Sequence, residues 1–140
     1  MSKPLVMVID DYAPDRIFAR IMLDKAGCFG KVLEVPGGEE ALALFEKWLD
    51  DRRDGLPDGF PPLIVLLDIN MPRMNGFEFL ERFSELVPRL GDDAPFVIML
   101  TSSEEPYEQA RSEAYEVVAG YLTKPLTAQK AMALCARRRT

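Results

Sequence analysis

Five polar side chains in this sequence stand where an apolar run stops. Asp10 and Asp11 follow the run LVMVI, Asp68 follows LIVLL, Thr101 follows FVIML, and Lys124 comes two residues after AGYL. A carboxylate can attack phosphorus to form an aspartyl phosphate. The transition state of that transfer spreads negative charge over the equatorial oxygens, so it needs cations and hydrogen-bond donors around it. Lys124 offers a compact ammonium on a long stem, and Thr101 offers a hydroxyl. If Asp10, Asp11 and Asp68 share one crevice, two of their charges about 4 Å apart repel by about 4 kcal/mol at an effective dielectric near 20. Such a cluster requires a cation or a large rise in pKa. With oxygen donors only, a hard divalent ion is expected, Mg²⁺ first.

These residues converge only if the right elements carry them. A run with no polar alternation is a strand buried on both faces, as in a parallel sheet covered by helices. Five such strands are read: residues 5–9, a less apolar one at 31–35, then 63–67, 96–100 and 119–122. Helical segments alternate with them. Pro14 and Asp15 open the first, whose apolar face is assigned to Ile17, Phe18, Ile21 and Met22, with Gly27 as its stop. Ala41, Leu42, Phe45, Trp48 and Leu49 mark the second. Phe79, Leu80, Phe83 and Val87 mark the third, entered through Asn75-Gly76. The fourth is expected over residues 104–118, with Ser102 and Glu105 as its capping pair. Thr127 caps a fifth carrying Ala131, Leu134 and Cys135 inward, with Arg137, Arg138 and Arg139 in its last turn. The expected fold is α/β: a three-layer α/β/α sandwich around a five-stranded parallel sheet in the flavodoxin-like order 2-1-3-4-5. That order makes strands one and three neighbours at the switch point, where ligands bind.

Composition narrows the classes. The 140 residues suffice for one domain, with 48% hydrophobic and 29% charged residues. A net charge of −6 without a basic run argues against nucleic acid. No apolar stretch has membrane length, and MSKPLVMVIDD is not a signal peptide. Histidine is absent, which excludes a histidine triad, zinc site or phosphohistidine on this chain. Cys28 and Cys135 are too few and too far apart in sequence to suggest a disulfide framework, and a reducing cytoplasm is the simplest placement. Residues 50–62 (DDRRDGLPDGFPP) read as a long exposed loop.

The segments VIDDYAPD, LLDINMPRMNGFEFL, MLTSS and YLTKPL, in that order at the strand ends, resemble a response-regulator receiver domain of two-component signalling, and the resemblance spans nearly the whole chain. It implies that Asp68 is phosphorylated by a histidine kinase or histidine phosphotransfer protein. It also implies that Asp11 ligates Mg²⁺ directly, Asp10 largely through water, and Asn70 through its backbone carbonyl. Lys124 would pair with the phosphoryl group, next to a cis bond to Pro125. Thr101 would be drawn to the phosphoryl oxygen, with Tyr121 swinging inward behind it. A single receiver domain over residues 1–140 with no output domain is expected. Its output would be protein contact, or a homodimer, through the fourth helix, fifth strand and fifth helix. The kinase is expected near the first helix and the loops around Asp68, and neither nucleic acid nor membrane is expected as a partner. Ser102, the segment 117–120 and the long loop depart from the common pattern. Two rivals stand beside this: a phosphorylation-independent scaffold, and a small Mg²⁺-dependent phosphatase. The phosphatase would want an acid two residues after Asp68, where Asn70 stands.

Overall fold

The computed structural model describes residues 3–102 and 105–137. Five strands, β1 (Val6–Ile9), β2 (Val32–Val35), β3 (Ile64–Leu67), β4 (Phe96–Thr101) and β5 (Val118–Thr123), alternate with α1 (Ala13–Ala26), α2 (Gly38–Leu49), α3 (Gly76–Leu90), α4 (Pro106–Glu113) and α5 (Ala128–Leu134). The strands pair in parallel throughout, in the order β2-β1-β3-β4-β5. This is the expected flavodoxin-like α/β architecture.

The all-apolar runs are the inner strands, and their alternation feeds two cores. Met7, Ile9, Val65, Leu67, Val97 and Met99 face α2 and α3, packing on Phe45, Phe79 and Phe83. Val6, Val8, Ile64, Leu66, Ile98 and Leu100 face α1 and α5, packing on Leu23, Ala131 and Leu134. Successive strand side chains point to opposite faces, so a strand covered on both sides must be apolar at every position. The edge strands β2 and β5 are only partly buried, and β2 is the one that reads as less apolar. On the α3 side, Arg111 of α4 lies 4.2 Å over the Phe77 ring.

Four expectations require correction. In α1 the buried residues are Ala19 and Leu23, while Ile17, Phe18 and Ile21 are 43%, 43% and 42% exposed. Both stripes have helical spacing, and the one carrying small Ala19 lets the helix lie close to the sheet. Of the four residues assigned inward, Met22 alone packs against the core. The fourth helix ends at Glu113 rather than 118, because Val118 is taken up by pairing with Val97 in the sheet. It starts at Pro106, with Glu105 rather than Ser102 at the N-cap and no side-chain capping bond there, so the Ser102–Glu105 capping pair does not form; residues 103 and 104 lie outside the described residues. Helix α5 stops at Leu134, leaving Arg137 beyond its end, where it donates to the Ala119 carbonyl at 3.1 Å; Arg138 and Arg139 lie outside the described residues.

The fourth correction concerns the cysteines. Cys28 and Cys135 form a disulfide across 107 positions of sequence. Both α1 and α5 cover the same face of the sheet and run back against its strands. Their carboxyl ends therefore meet at one edge, and sequence distance says nothing about that. Other local expectations hold. Asn75 and Glu78 form a capping box on α3, and Thr127 accepts from the Lys130 amide at 3.1 Å to cap α5. In the loop at 50–62, Arg53 stacks 4.9 Å over Trp48, and Phe60 turns in against Phe45.

Candidate functional site

Sheet register builds the site. Ile9 pairs with Leu67 across β1 and β3, so the next residues, Asp10 and Asp68, emerge side by side at the carboxyl rim. The Asp68 amide donates to the Ile9 carbonyl at 2.9 Å and the Asp10 amide to the Val35 carbonyl at 3.1 Å. The two acids are therefore fixed by backbone. Thr101 ends β4 opposite Thr123 of β5, and the Lys124 amide donates to the Thr101 carbonyl at 2.6 Å. Residues far apart in sequence are thus placed by four adjacent strand ends.

Asp10, Asp11 and Asp68 each offer a carboxylate oxygen, and those oxygens lie within 4.8 Å of one another. Asp10 and Asp68 are buried and Asp11 is exposed. The Lys124 ammonium enters from the other side, 2.6 Å from Asp10 Oδ2, 2.9 Å from Asp15 Oδ2 and 3.5 Å from Asp68 Oδ1. The remaining Asp10 oxygen accepts from the Tyr12 amide at 3.0 Å, and Arg16 donates to the Asp10 carbonyl at 2.7 Å. Arg16 also reaches Glu34 of β2 at 3.5 Å, beside the Arg20–Glu34 pair at 2.7 Å.

The electrostatics follow from this crowding. Desolvation by burial, then the Asp10 charge, push the Asp68 carboxyl up to about 6, with Lys124 opposing and Asp11 adding to the rise. Burial alone would lower the Lys124 pKa. Its hydrogen bonds to Asp10 and Asp15, with the Asp68 charge, outweigh that and raise it above its ordinary value. Lys124 is therefore a permanent cation, and Asp68 is a carboxylate that ionises reluctantly while a single ammonium serves three acids. An all-oxygen donor set with surplus negative charge fits a hard divalent cation.

Thr101 is completely buried at the end of β4. Tyr121 is half-buried on β5 against the α2–α3 core. Asn70 lies exposed in the loop after Asp68, and the Lys124–Pro125 bond is cis. Gly76 does more than open a helix: a Cβ there would stand 2.7 Å from the Asp68 carbonyl and 2.9 Å from Ile69 Cα. Only a bare backbone lets α3 begin this close to the Asp68 strand end.

Sequence reasoning missed Asp15 as the second partner of Lys124. Its one signal was its place, a single turn into the helix that follows Asp10-Asp11. It also missed Arg16. Beside these groups, Asp15, Phe18, Leu100, Lys124 and Leu126 line a cleft of about 300 Å³ between α1 and the β5–α5 loop.

Comparison with known proteins agrees with this geometry. The chain is 32% identical over 123 residues to an uncharacterized 14.6 kDa protein of the sodA1 3′ region of Leptolyngbya boryana, covering 86% of this chain and 79% of that one. It is 28% identical over 126 residues to the autoinducer 1 sensor kinase/phosphatase LuxN of Vibrio harveyi, covering 90% of this chain but only 12% of LuxN. A two-component response regulator from Cytophaga hutchinsonii superimposes with a TM-score of 0.81 at 28% identity, covering 96% of this chain and 95% of the other. The family model of the response regulator receiver domain matches residues 6–136. With the acidic pair, the aspartate, the hydroxyl and the lysine at the ends of β1, β3, β4 and β5, this chain belongs to the response regulator receiver domain family.

Proposed function

We propose that the chain accepts a phosphoryl group on Asp68 from a histidine kinase or histidine phosphotransfer protein. The observation that carries this reading is the convergence of Asp10, Asp11 and Asp68 within 4.8 Å, closed on one side by Lys124. Asp11, Asp68 and the Asn70 carbonyl would hold Mg²⁺ directly. Asp10, whose oxygens already accept from Tyr12 and Lys124, would act largely through water. When bound, the ion supplies positive charge that ionises the acids and neutralises the transferring phosphoryl oxygens.

The protein's own part is direct. An Asp68 oxygen attacks phosphorus, the phosphorus–nitrogen bond of the donor phosphohistidine breaks, and its electron pair leaves with the imidazole. Lys124 neutralises one equatorial oxygen and keeps its charge at any working pH. Thr101, at the end of the neighbouring strand, donates its hydroxyl to another. The new group brings extra charge and three strong acceptors. Thr101 and Lys124 move toward it, Tyr121 fills the space behind, and the α4–β5–α5 face shifts between two packings to engage a protein partner or a second copy of the chain. The donor docks at α1, which exposes Ile17, Phe18 and Ile21; of these, Phe18 lines the cleft beside Lys124. In this reading the chain is one receiver module without catalysis on outside substrates, apart from slow loss of its own phosphoryl group to water. Among the described residues no helix is long and apolar enough to cross a membrane. A kinase partner places the chain in the cytoplasm, where thiols would have access to the Cys28–Cys135 bond.

Intact mass after treatment with acetyl phosphate and Mg²⁺ tests the reading. One alkali-labile phosphoryl adduct is expected on the native chain and none on Asp68→Asn. No adduct on either chain would favour the scaffold.

A further inference from the structure

Lys130 occupies the third position of α5, where the helix dipole favours an acid and a capping box would place Glu or Gln. A cation there needs compensation, and the structure shows where it comes from. The Lys130 ammonium turns back over the helix start to the Thr123 carbonyl at 2.7 Å and the Pro125 carbonyl at 3.3 Å. Those two carbonyls belong to the residues immediately before and after Lys124.

We propose that Lys130 is a positioning residue for Lys124, its ammonium bridging the carbonyls of Thr123 and Pro125 so that the Lys124 backbone cannot drift from the acids. Lys124 reaches Asp10 and Asp68 on a stem of four flexible bonds, so the fit of its ammonium depends on where its Cα is held. One side of that Cα is tied to β4 by the bond to the Thr101 carbonyl. Lys130 holds that same peptide through the Thr123 carbonyl, and the segment beyond Lys124 through the Pro125 carbonyl, to α5, which Ala131 and Leu134 anchor in the core. A charged donor shared by two carbonyls is stronger than a neutral hydrogen bond. Met at this position keeps the stem and loses the bridge. The proposal takes its rate readout from the reading of Lys124 as the phosphoryl-binding cation, but its structural readout is independent of it.

The test compares the native chain with Lys130→Met and Lys130→Arg. Limited acetylation with acetic anhydride, mapped by peptide mass spectrometry and scaled to exposed Lys25, reports how firmly the Lys124 ammonium is held. Lys124 is expected to react about threefold to tenfold faster in the methionine variant and near the native rate in the arginine variant. Phosphorylation by acetyl phosphate at saturating Mg²⁺ is expected to slow by a similar factor in the methionine variant alone, with Mg²⁺ affinity unchanged. Native acetylation of Lys124 in Lys130→Met overturns the proposal, as does a parallel loss of Mg²⁺ affinity, which would mean general loosening of the site. Should the methionine variant not fold, Lys130→Gln serves, since its short amide cannot span both carbonyls. If the native chain takes no phosphoryl group, the reading of Asp68 fails while the acetylation comparison still decides the role of Lys130.

Discussion

Asp68→Asn is expected to stabilise the metal-free protein while abolishing its chemistry. The Asp68 carboxyl is pushed from 3.8 to about 6, first by burial and then by the Asp10 charge. At about 1.4 kcal/mol per unit, ionising it inside the folded protein costs up to about 3 kcal/mol. The sign follows from linkage. A carboxyl with a raised folded pKa is held more tightly as the acid in the native state, so the cost is absent below about pH 4, grows as pH rises through 6, and is complete by about pH 8. The amide removes that cost and sacrifices only the longest of the three Lys124 contacts, 3.5 Å, leaving Asp10 and Asp15 at 2.6 and 2.9 Å. A net gain of about 1–3 kcal/mol should raise Tm by about 3–10 °C at pH 8 in EDTA and by almost nothing near pH 4. Mg²⁺ should cancel most or all of that advantage, since the native chain gains about 2.7 kcal/mol at a hundred times its Kd and the variant gains little. Thermal unfolding followed by circular dichroism measures each condition. A variant no more stable than the native chain at pH 8 in EDTA, or one equally stabilised at pH 4, would refute the reasoning.

Three further outcomes are expected. Lys124→Met leaves Asp10 and Asp15 without their cation and should cost about 3 kcal/mol in metal-free urea unfolding, with phosphorylation slowed as well. Gly76→Ala forces a Cβ to within 2.7 Å of the Asp68 carbonyl, so α3 or the Asp68 strand end must shift; a loss of about 1–3 kcal/mol and slower phosphorylation should appear together. Reducing the Cys28–Cys135 bond, or replacing both residues with Ser, removes a cross-link spanning 107 positions and should lower stability by about 2–5 kcal/mol in denaturant titration. Because the bond lies at the opposite edge of the sheet from Asp68, phosphorylation rates should survive that change.

What the sequence by itself determined about this protein is what a strand buried on both faces writes into its own composition. LVMVI, LIVLL and FVIML admit no polar residue, so the first polar residue after each marks the rim of the sheet. Parallel topology then sends Asp10, Asp11, Asp68, Thr101 and Lys124 to the same side, and the strand order and acid cluster were legible for that reason. Turn chemistry was legible too, because Asn75 and Thr127 satisfy amides only three residues away. Tertiary structure alone decided matters in which two local patterns compete or a partner is distant. Helix α1 offers two apolar stripes, and only the fit of Ala19 against the sheet chooses between them. Residues 114–118 could extend a helix, yet pairing with β4 claims Val118. Asp15 meets Lys124, Lys130 meets the carbonyls around Lys124, and Cys28 meets Cys135 because folding brings together elements whose separation along the chain carries no information about distance.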